Sequence, residues 1–248
     1  MPQTANIQYF SAPGQPFEVI LCENSTISYP LHNHVSVYTA GLVLQGAFFL
    51  GIGTSASICR PGRAFVIPPY RPHFIKAHSP YSLLSLCIAK QEICQSPEFW
   101  QRLLADLNLS SAQQRQLLNC LNCLNSLNRI DYQPAANPAI YQAQKQLEKC
   151  PENTLHIEEL AQAAYLSKYH FIRCFKRAVG LTPHQFQIQN RIRKGQQLLR
   201  KSESITKVAL LTGFYDQSHF NRHFTKILGL TPSRYQQACQ TLPKKLRP

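Results

Sequence analysis

The C-terminal part of the chain contains an internal repeat. Residues 166–186, LSKYHFIRCFKRAVGLTPHQF, align with residues 215–235, YDQSHFNRHFTKILGLTPSRY, at a constant offset of 49. Further upstream the offset is 48, since Ile157 corresponds to Ile205. The extra residue falls between the first and second helix predicted for each copy, where a turn can absorb it. This part of the chain is therefore predicted to fold as two versions of one small structural unit.

Each copy has the pattern of two helices joined by a turn. A short helix with inward-facing alanines is predicted over 157–163 and again over 206–212. The second helix of each copy stops at a glycine, Gly180 or Gly229, because glycine adopts the left-handed conformation found after helix C-termini without penalty. The Thr-Pro pair that comes next supplies the N-cap and first position of another helix. Both copies are predicted to be helix-turn-helix units.

The second helix of each copy is predicted to present one face to the core and one to an outside partner. The inward faces hold Phe171, Cys174, Phe175 and Ala178, and Phe220, His223, Phe224 and Ile227. The outward faces hold Tyr169, Ile172, Arg173 and Lys176, and Ser218, Asn221, Arg222 and Thr225. Arginine can pair with guanine through two hydrogen bonds, amides suit adenine, and apolar groups contact the thymine methyl. These helices are predicted to enter the major groove of double-stranded DNA, and a solvated face with incidental charge is the alternative.

Positive charge is concentrated in the same part of the chain. Residues 1–133 contain 8 Lys and Arg against 6 Asp and Glu, whereas residues 134–248 contain 18 against 6. A field of this sign attracts polyanions by counterion release and by electrostatic steering. Nucleic acid or an anionic membrane surface is therefore the expected partner, and a merely solubilising face is the alternative.

A linker is predicted where the charge balance changes. Residues 131–138, DYQPAANP, combine two prolines with small and polar residues. The predicted domains are residues 1–133 and 139–248, separated by a linker at 134–138. The first domain is predicted to be rich in short β-strands that are followed by helices.

A leucine stripe ends the first domain. Leu117, Leu118, Leu121, Leu124 and Leu127 are three or four residues apart and form one broad apolar face of a helix. This face packs either on the domain's own strands or on its copy in a second subunit, and the sequence leaves both possibilities open. A homodimer through the helix at 111–130 is thus one expectation.

The second copy resembles the AraC/XylS family of bacterial transcription regulators, in which GF-x-DQSHF-x-R-x-F is followed by G-x-TP-x-x-Y. Here the motif reads GFYDQSHFNRHFTKILGLTPSRY at 213–235, and the resemblance extends over about 139–240. It implies base contacts by Tyr169, Ile172 and Arg173 in the first copy and by Gln217, Ser218, His219 and Arg222 in the second. Phosphate contacts are implied for Lys168, Lys176 and Lys226. Two departures are His156, where a small helix cap is usual, and Ile172, where a polar residue is common.

The first domain resembles the cupin-like sensor of many such regulators. The landmarks are YPLHNH at 29–34 and PGRAFVIPPYRPH at 61–73. The resemblance implies a β-barrel with an effector pocket, for which His32, His34, Phe65 and His73 are candidate residues. The three histidines match metal ligands of metal-binding cupins, but no glutamate lies between His34 and Gly46. We therefore expect an organic effector and no metal or other cofactor, and a three-histidine metal site is the alternative.

The combined expectation is an α+β protein: a cupin-like barrel with a helical hairpin, then an all-α domain of two helix-turn-helix units joined by a connector helix at 183–201. It would be a non-enzymatic, sequence-specific transcription regulator that senses a small molecule, acts as an activator and contacts RNA polymerase. The alternatives are a metal-dependent cupin enzyme or metal sensor with a DNA-binding appendage, and a non-specific nucleic-acid or membrane-surface binder. The first residues lack a basic segment followed by an apolar one, so we expect a cytoplasmic bacterial protein. Glycines and polar residues within 35–59 argue against a membrane span.

Overall fold

The computed structural model describes residues 6–11, 17–35, 37–53, 55–89, 97–105, 107, 109–127 and 137–241. The chain divides into two compact units. Unit 1 comprises Met1–Ser28, Asn33–Tyr132 and Ala238–Pro248, and unit 2 comprises Tyr29–His32 and Gln133–Gln237. The division differs from the predicted domains at two segments, Tyr29–His32 and Ala238–Pro248. Most of the predicted linker, 134–136, lies outside the described residues.

Nine strands and two helices build most of unit 1 within its described residues. The strands are β1 (Asn6–Ser11), β2 (Phe17–Ser25), β4 (Val37–Gln45), β5 (Phe48–Ile52), β6 (Ser55–Cys59), β7 (Ala64–Ile67), β8 (His73–Ala77), β9 (Tyr81–Ala89) and β10 (Cys239–Thr241). The helices are α1 (Pro97–Ala105) and α2 (Ser111–Leu127). The short strand β3 (Tyr29–His32) belongs to unit 2.

The strands of unit 1 form two sheets. The larger has the order β10-β1-β2-β9-β4-β7, and the other contains β8, β5 and β6 in this order. The parallel pairing of β10 with β1, which places Cys239 beside Tyr9, explains why the C-terminal segment belongs to unit 1. A barrel requires a continuous ring of paired strands, but β7 and β10 are the two outer edges of the larger sheet. The expected closed β-barrel is therefore wrong for the described residues.

The leucine stripe of α2 packs on the strands of its own unit. Leu117, Leu121 and Leu124 are at most 1% exposed and share one core with Trp100 of α1 and Leu86 of β9. Leu118 packs partly buried against the same core, and the side chain of Leu127 lies outside the described part. The sequence left two partners open for the leucine stripe, and the structure shows that it packs on the strands of its own domain.

Unit 2 is helical apart from β3. Its helices are α3 (Pro138–Lys149), α4 (Ile157–Ala163), α5 (Lys168–Val179), α6 (Pro183–Arg200), α7 (Ile205–Leu211), α8 (Gln217–Leu228) and α9 (Pro232–Ala238). The helix boundaries follow the predicted caps. Gly180 and Gly229 adopt the left-handed conformation after α5 and α8, and Thr182 forms a capping box with Gln185 at the start of α6. His156 makes no side-chain cap bond to α4, as its departure from the usual cap suggested.

The structure locates the extra residue of the second copy. The backbone N–H of Leu166 donates to Ala161, and that of Phe214 donates to Ala209, so the offset is still 48 at these positions. The caps of α5 and α8 are Ser167 and Asp216, where the offset is 49. The inserted residue is therefore Tyr215, which lies between Phe214 and the cap and is 88% exposed.

Among the described residues, no helix has the combination of length and apolar character that crossing a membrane requires.

Candidate nucleic-acid interface

Two buried phenylalanines anchor each of the helices α5 and α8 in the core of the helical unit. Phe171 and Phe175 of α5 and Phe220 and Phe224 of α8 are fully buried. Phe175 packs edge-on against Phe186 of α6 with ring centroids 5.8 Å apart. Burying these rings fixes the rotation of each helix about its axis, and this determines which side chains point outward.

Most predicted DNA contacts lie on the surface. Seven are exposed in the structure, namely Lys168, Tyr169, Arg173, Lys176, Gln217, Ser218 and Arg222. Three are partly buried, namely Ile172, His219 and Asn221. Arg173 and Arg222 occupy equivalent positions on α5 and α8, so each helix presents one exposed guanidinium in the same relation to its buried phenylalanines. Their roles in DNA contact remain predictions.

Lys168 forms an ion pair at the start of α5. Its Nζ lies 2.5 Å from Oε1 of Glu158 on α4, and both side chains are exposed. The hydrogen bond from Lys168 lowers the pKa of Glu158, and Glu158 raises the pKa of Lys168. The cation predicted to contact phosphate is thus partly neutralised in the DNA-free protein.

Gln217 is tied to the first helix of its own copy. Its Oε1 accepts a hydrogen bond of 2.7 Å from the hydroxyl of Thr206 on α7. Asp216 caps the same helix end by accepting from the backbone N–H of His219 at 2.7 Å. These two contacts position the N-terminal turn of α8, which in a helix-turn-helix unit contacts base edges.

His219 contributes to packing as well as to the surface. Its ring lies edge-on to Phe214, with centroids 5.3 Å apart, and 4.8 Å from the ring of His223. Burial lowers the pKa of His223, and nearby His219, His184, Lys226 and Arg222 lower it further. His219 and His223 therefore connect the outward side of α8 to Phe214, which precedes this helix.

Asn221 differs from the other predicted contacts. It is half-buried, and its Oδ1 is inaccessible to solvent with no hydrogen-bond partner among the described residues. In this conformation the amide oxygen is not available to a base.

Arg191 is a structural residue that sequence reasoning missed. From α6 its guanidinium donates to the carbonyl oxygens of Pro151 at 2.7 Å, Asn153 at 3.0 Å and Gly213 at 2.5 Å. It also lies 5.8 Å from the ring centroid of Phe214. These bonds connect the loop after α3 with the turn that precedes α8. The connector helix lies outside the internal repeat, so the repeat gave no signal for this residue.

Three of the effector candidates, His34, Phe65 and His73, belong to unit 1, and His32 belongs to unit 2. His34 and His73 lie together with ring centroids 5.0 Å apart, and Nδ1 of the buried His73 is 2.9 Å from the carbonyl oxygen of Arg71. Phe65 covers Gly41 of the neighbouring strand and packs edge-on against Phe48 at 6.1 Å. His32 is the last residue of β3, and its Nδ1 is 2.7 Å from the carbonyl oxygen of Pro30.

Comparison with known proteins identifies the class of the C-terminal segment. Residues 160–238 match the family model described as a helix-turn-helix domain. The chain is 40% identical over 76 residues to the HTH-type transcriptional regulator MtrA of Neisseria gonorrhoeae, which is 30% of this chain and 25% of MtrA. It is 35% identical over 69 residues to an HTH-type transcriptional regulator of Haemophilus influenzae, covering 27% of this chain and 23% of that protein. The C-terminal part is therefore a helix-turn-helix domain of the AraC type, as the motif indicated.

Solved structures show the same fold over most of the chain. The crystal structure of ToxT from Vibrio cholerae O395 superimposes with a TM-score of 0.56 and 11% identity, covering 90% of this chain and 98% of ToxT. ToxT thus shares the arrangement of an N-terminal part rich in sheet and a C-terminal helical part. In sequence, the chain spans about a quarter of the length of the curated relatives MtrA and the Haemophilus regulator.

Proposed function

We propose that this protein is a sequence-specific DNA-binding transcription regulator whose two helix-turn-helix units, α4–α5 and α7–α8, both contact the operator. The observation that supports it most is the equivalent placement of two exposed arginines, Arg173 and Arg222, on the outward faces of α5 and α8. Two copies of one surface on a strongly basic segment fit two major-groove contacts better than incidental charge. The helix-turn-helix domain at 160–238 and the regulators that share it support the same functional class.

The test begins with an operator selected from random duplexes by the full-length protein. Arg173→Ala and Arg222→Ala should each weaken operator binding by about 1–3 kcal/mol and relax the preference at one base position. Arg173→Lys and Arg222→Lys keep the charge but lose the planar pair of donors, so they should lose specificity while retaining binding to random DNA. Arg234→Ala on α9 removes an exposed arginine outside both helices and serves as the control. Unchanged operator preference in both alanine variants would contradict the proposal.

For unit 1 we propose a small organic effector and no metal ion. No glutamate lies between His34 and Gly46 to complete the ligand set of metal-binding cupins, and this favours an organic ligand over an ion. One structural neighbour, ToxT, has been crystallised with an unsaturated fatty acid bound, so oleic acid is a reasonable first probe. A rise in melting temperature with oleic acid would support this class of effector. Stoichiometric metal in protein purified without chelator, lost in His73→Ala, would instead favour the metal-binding alternative.

Activation through RNA polymerase and homodimer formation are further parts of the proposal. Since Leu117, Leu121 and Leu124 are buried in their own unit, a dimer through 111–130 would have to use the opposite face of α2, which exposes Arg115 and Asn119. Sedimentation velocity of the wild type and Asn119→Arg tests this contact. A dimer that Asn119→Arg does not weaken would contradict it. Transcription from the selected operator with purified polymerase tests activation.

A further inference from the structure

Two tyrosines of the helical unit are almost fully exposed. Tyr165 is 96% exposed and Tyr215 is 88% exposed, the two highest values among the large hydrophobic side chains of the described residues. Each lies in the turn between the two helices of its copy, Tyr165 between α4 and α5 and Tyr215 between α7 and α8. Because an exposed ring gains little free energy from burial, the folding of the DNA-free protein does not account for either tyrosine.

The backbone at Tyr165 is strained as well. Its φ angle of 55° lies in the left-handed region, which is unfavourable for a residue that carries a Cβ. A glycine would relieve this strain, and the exposed ring makes no packing that offsets it. Strained conformations of this kind are concentrated at functional sites. The tyrosine at this position therefore indicates contact with a partner.

The second copy brings its tyrosine to the same helix end by a different route. The residue equivalent to Tyr165 is Gly213, where a Cβ would collide with the carbonyl oxygen of Glu152. A side chain at 213 is therefore disfavoured, and the inserted residue Tyr215 supplies one instead. Tyr165 lies two residues before the cap of α5, and Tyr215 lies one residue before the cap of α8. Two differently built turns thus place an exposed tyrosine beside the N-terminus of a proposed DNA-contacting helix.

This location is next to the sugar–phosphate strand when such a helix enters DNA. The N-terminal residues of the second helix contact base edges in the major groove. The groove is about 12 Å wide, and a helix with its side chains is about 10–12 Å across, so the residues just before the helix meet the edge of the groove. Tyrosine hydroxyls donate to phosphate oxygens there. The exposed Lys168, in the first turn of α5, adds positive charge at the same end.

We propose that Tyr165 and Tyr215 contact the DNA backbone at the edges of the two major-groove sites, where each hydroxyl donates to a phosphate oxygen and each ring packs on the adjoining deoxyribose. The inference rests on the proposed function and adds two positioning residues to it. A neutral donor releases no counterion, so these contacts strengthen binding to operator and scrambled DNA alike and leave its salt dependence unchanged.

The test uses the full-length protein with the selected operator and a scrambled duplex. Tyr165→Phe and Tyr215→Phe remove only the hydroxyl, and each should weaken binding to both duplexes about three- to tenfold, the equivalent of one hydrogen bond. The slope of log affinity against log salt concentration should stay as in the wild type. Tyr141→Phe is the matched control, because Tyr141 is a partly exposed tyrosine on α3, outside both helix-turn-helix units. It should leave both affinities unchanged.

Tyr165→Gly separates the contact from folding. This variant relieves the backbone strain, so a loss of DNA affinity cannot be attributed to loss of structure. It also removes the ring, and its affinity for both duplexes should therefore fall at least as far as that of Tyr165→Phe. Wild-type affinity in Tyr165→Gly would contradict a DNA contact at this position.

The outcomes separate this inference from the proposed function. A wild-type protein that does not discriminate its operator from scrambled DNA overturns the proposed function. A discriminating protein in which a phenylalanine variant binds both duplexes as tightly as the wild type overturns the contact for that tyrosine alone. A loss confined to the operator would assign the tyrosine to a base and overturn the backbone contact. Full DNA affinity with lost transcription would assign it to a protein partner, which also overturns the inference.

Discussion

Tyr165 and Gly213 occupy the same place in the two copies of the repeat, and both have left-handed backbone conformations. Their φ angles are 55° and 80°, and each lies in the turn just after the first helix of its copy. Glycine adopts this conformation without strain, whereas tyrosine does not. Tyr165 is also 96% exposed, so packing does not compensate for the strain.

The substitution Tyr165→Gly is expected to stabilise the protein. Relief of the left-handed strain outweighs the greater entropy of glycine in the unfolded chain, and we expect the free energy of unfolding to rise by about 0.5–1 kcal/mol. Urea unfolding monitored by circular dichroism measures this. Tyr169→Gly, inside α5, should lower the free energy by about 1 kcal/mol. A loss of stability in Tyr165→Gly would show that the exposed ring makes a contribution that its surroundings do not reveal.

The opposite result is expected for Gly213→Ala. A Cβ at Gly213 would collide with the carbonyl oxygen of Glu152 and lie 2.8 Å from its Cα, and both atoms belong to the backbone. We expect a loss of about 2–4 kcal/mol in the free energy of unfolding, from steric overlap together with backbone strain. Gly53→Ala is the matched control, since Gly53 has a φ of 61° and no atom within 4 Å of an added Cβ. Equal losses in both variants would mean that strain alone, without the Glu152 contact, determines the cost.

Arg191 is expected to be sensitive even to lysine. Its guanidinium donates to several backbone carbonyls around Pro151 and Gly213, and a single ammonium group cannot reproduce this planar set of donors. Arg191→Lys should lower the free energy of unfolding by about 2–3 kcal/mol, because several backbone carbonyls lose charged donors. Arg234→Lys on the exposed side of α9 should change it by less than about 0.5 kcal/mol. Equal stability of the two variants would argue that the carbonyls around Arg191 find other partners.

The helical unit was predictable because its local signals agree with one another. The repeat, the glycines at 180 and 229 and the Thr-Pro pairs each specify a helix end without reference to distant residues. The sheets were less predictable. Alternating apolar residues indicate that strands such as β7 exist, but they do not indicate which strands pair with one another. The contacts of Arg191 depend on backbone carbonyls brought close by the fold, and carbonyls have no signature in the sequence.

Glu158 is expected to limit DNA binding by pairing with Lys168. Glu158→Gln removes the partner that raises the pKa of Lys168, and the lysine becomes available to phosphate. Glu159→Gln is charge-matched, because Glu159 is the exposed neighbour on the same helix. We expect Glu158→Gln to increase affinity for random duplex DNA about two- to fivefold more than Glu159→Gln. The slope of log affinity against log salt concentration should also become steeper by up to about one. Identical salt slopes in the two variants would exclude Lys168 as a phosphate contact.

His223 is expected to make the helical unit sensitive to acid. Burial, together with His219, His184, Lys226 and Arg222, lowers its pKa in the folded protein. Below the unfolded value of about 6.5, the unfolded chain binds a proton that the folded protein resists. The contribution of neutral His223 to stability is therefore complete above that pH and is lost as the pH falls through the lowered pKa. His223→Phe keeps a ring against Phe214 but cannot titrate, so its melting temperature should fall less between pH 7.5 and 5.5 than that of the wild type. Because His219 packs against the same Phe214 ring, His219→Phe with His223 intact is the informative comparison. If both variants show the same smaller fall in melting temperature, repulsion from His219, rather than burial of His223, causes the loss of stability in acid.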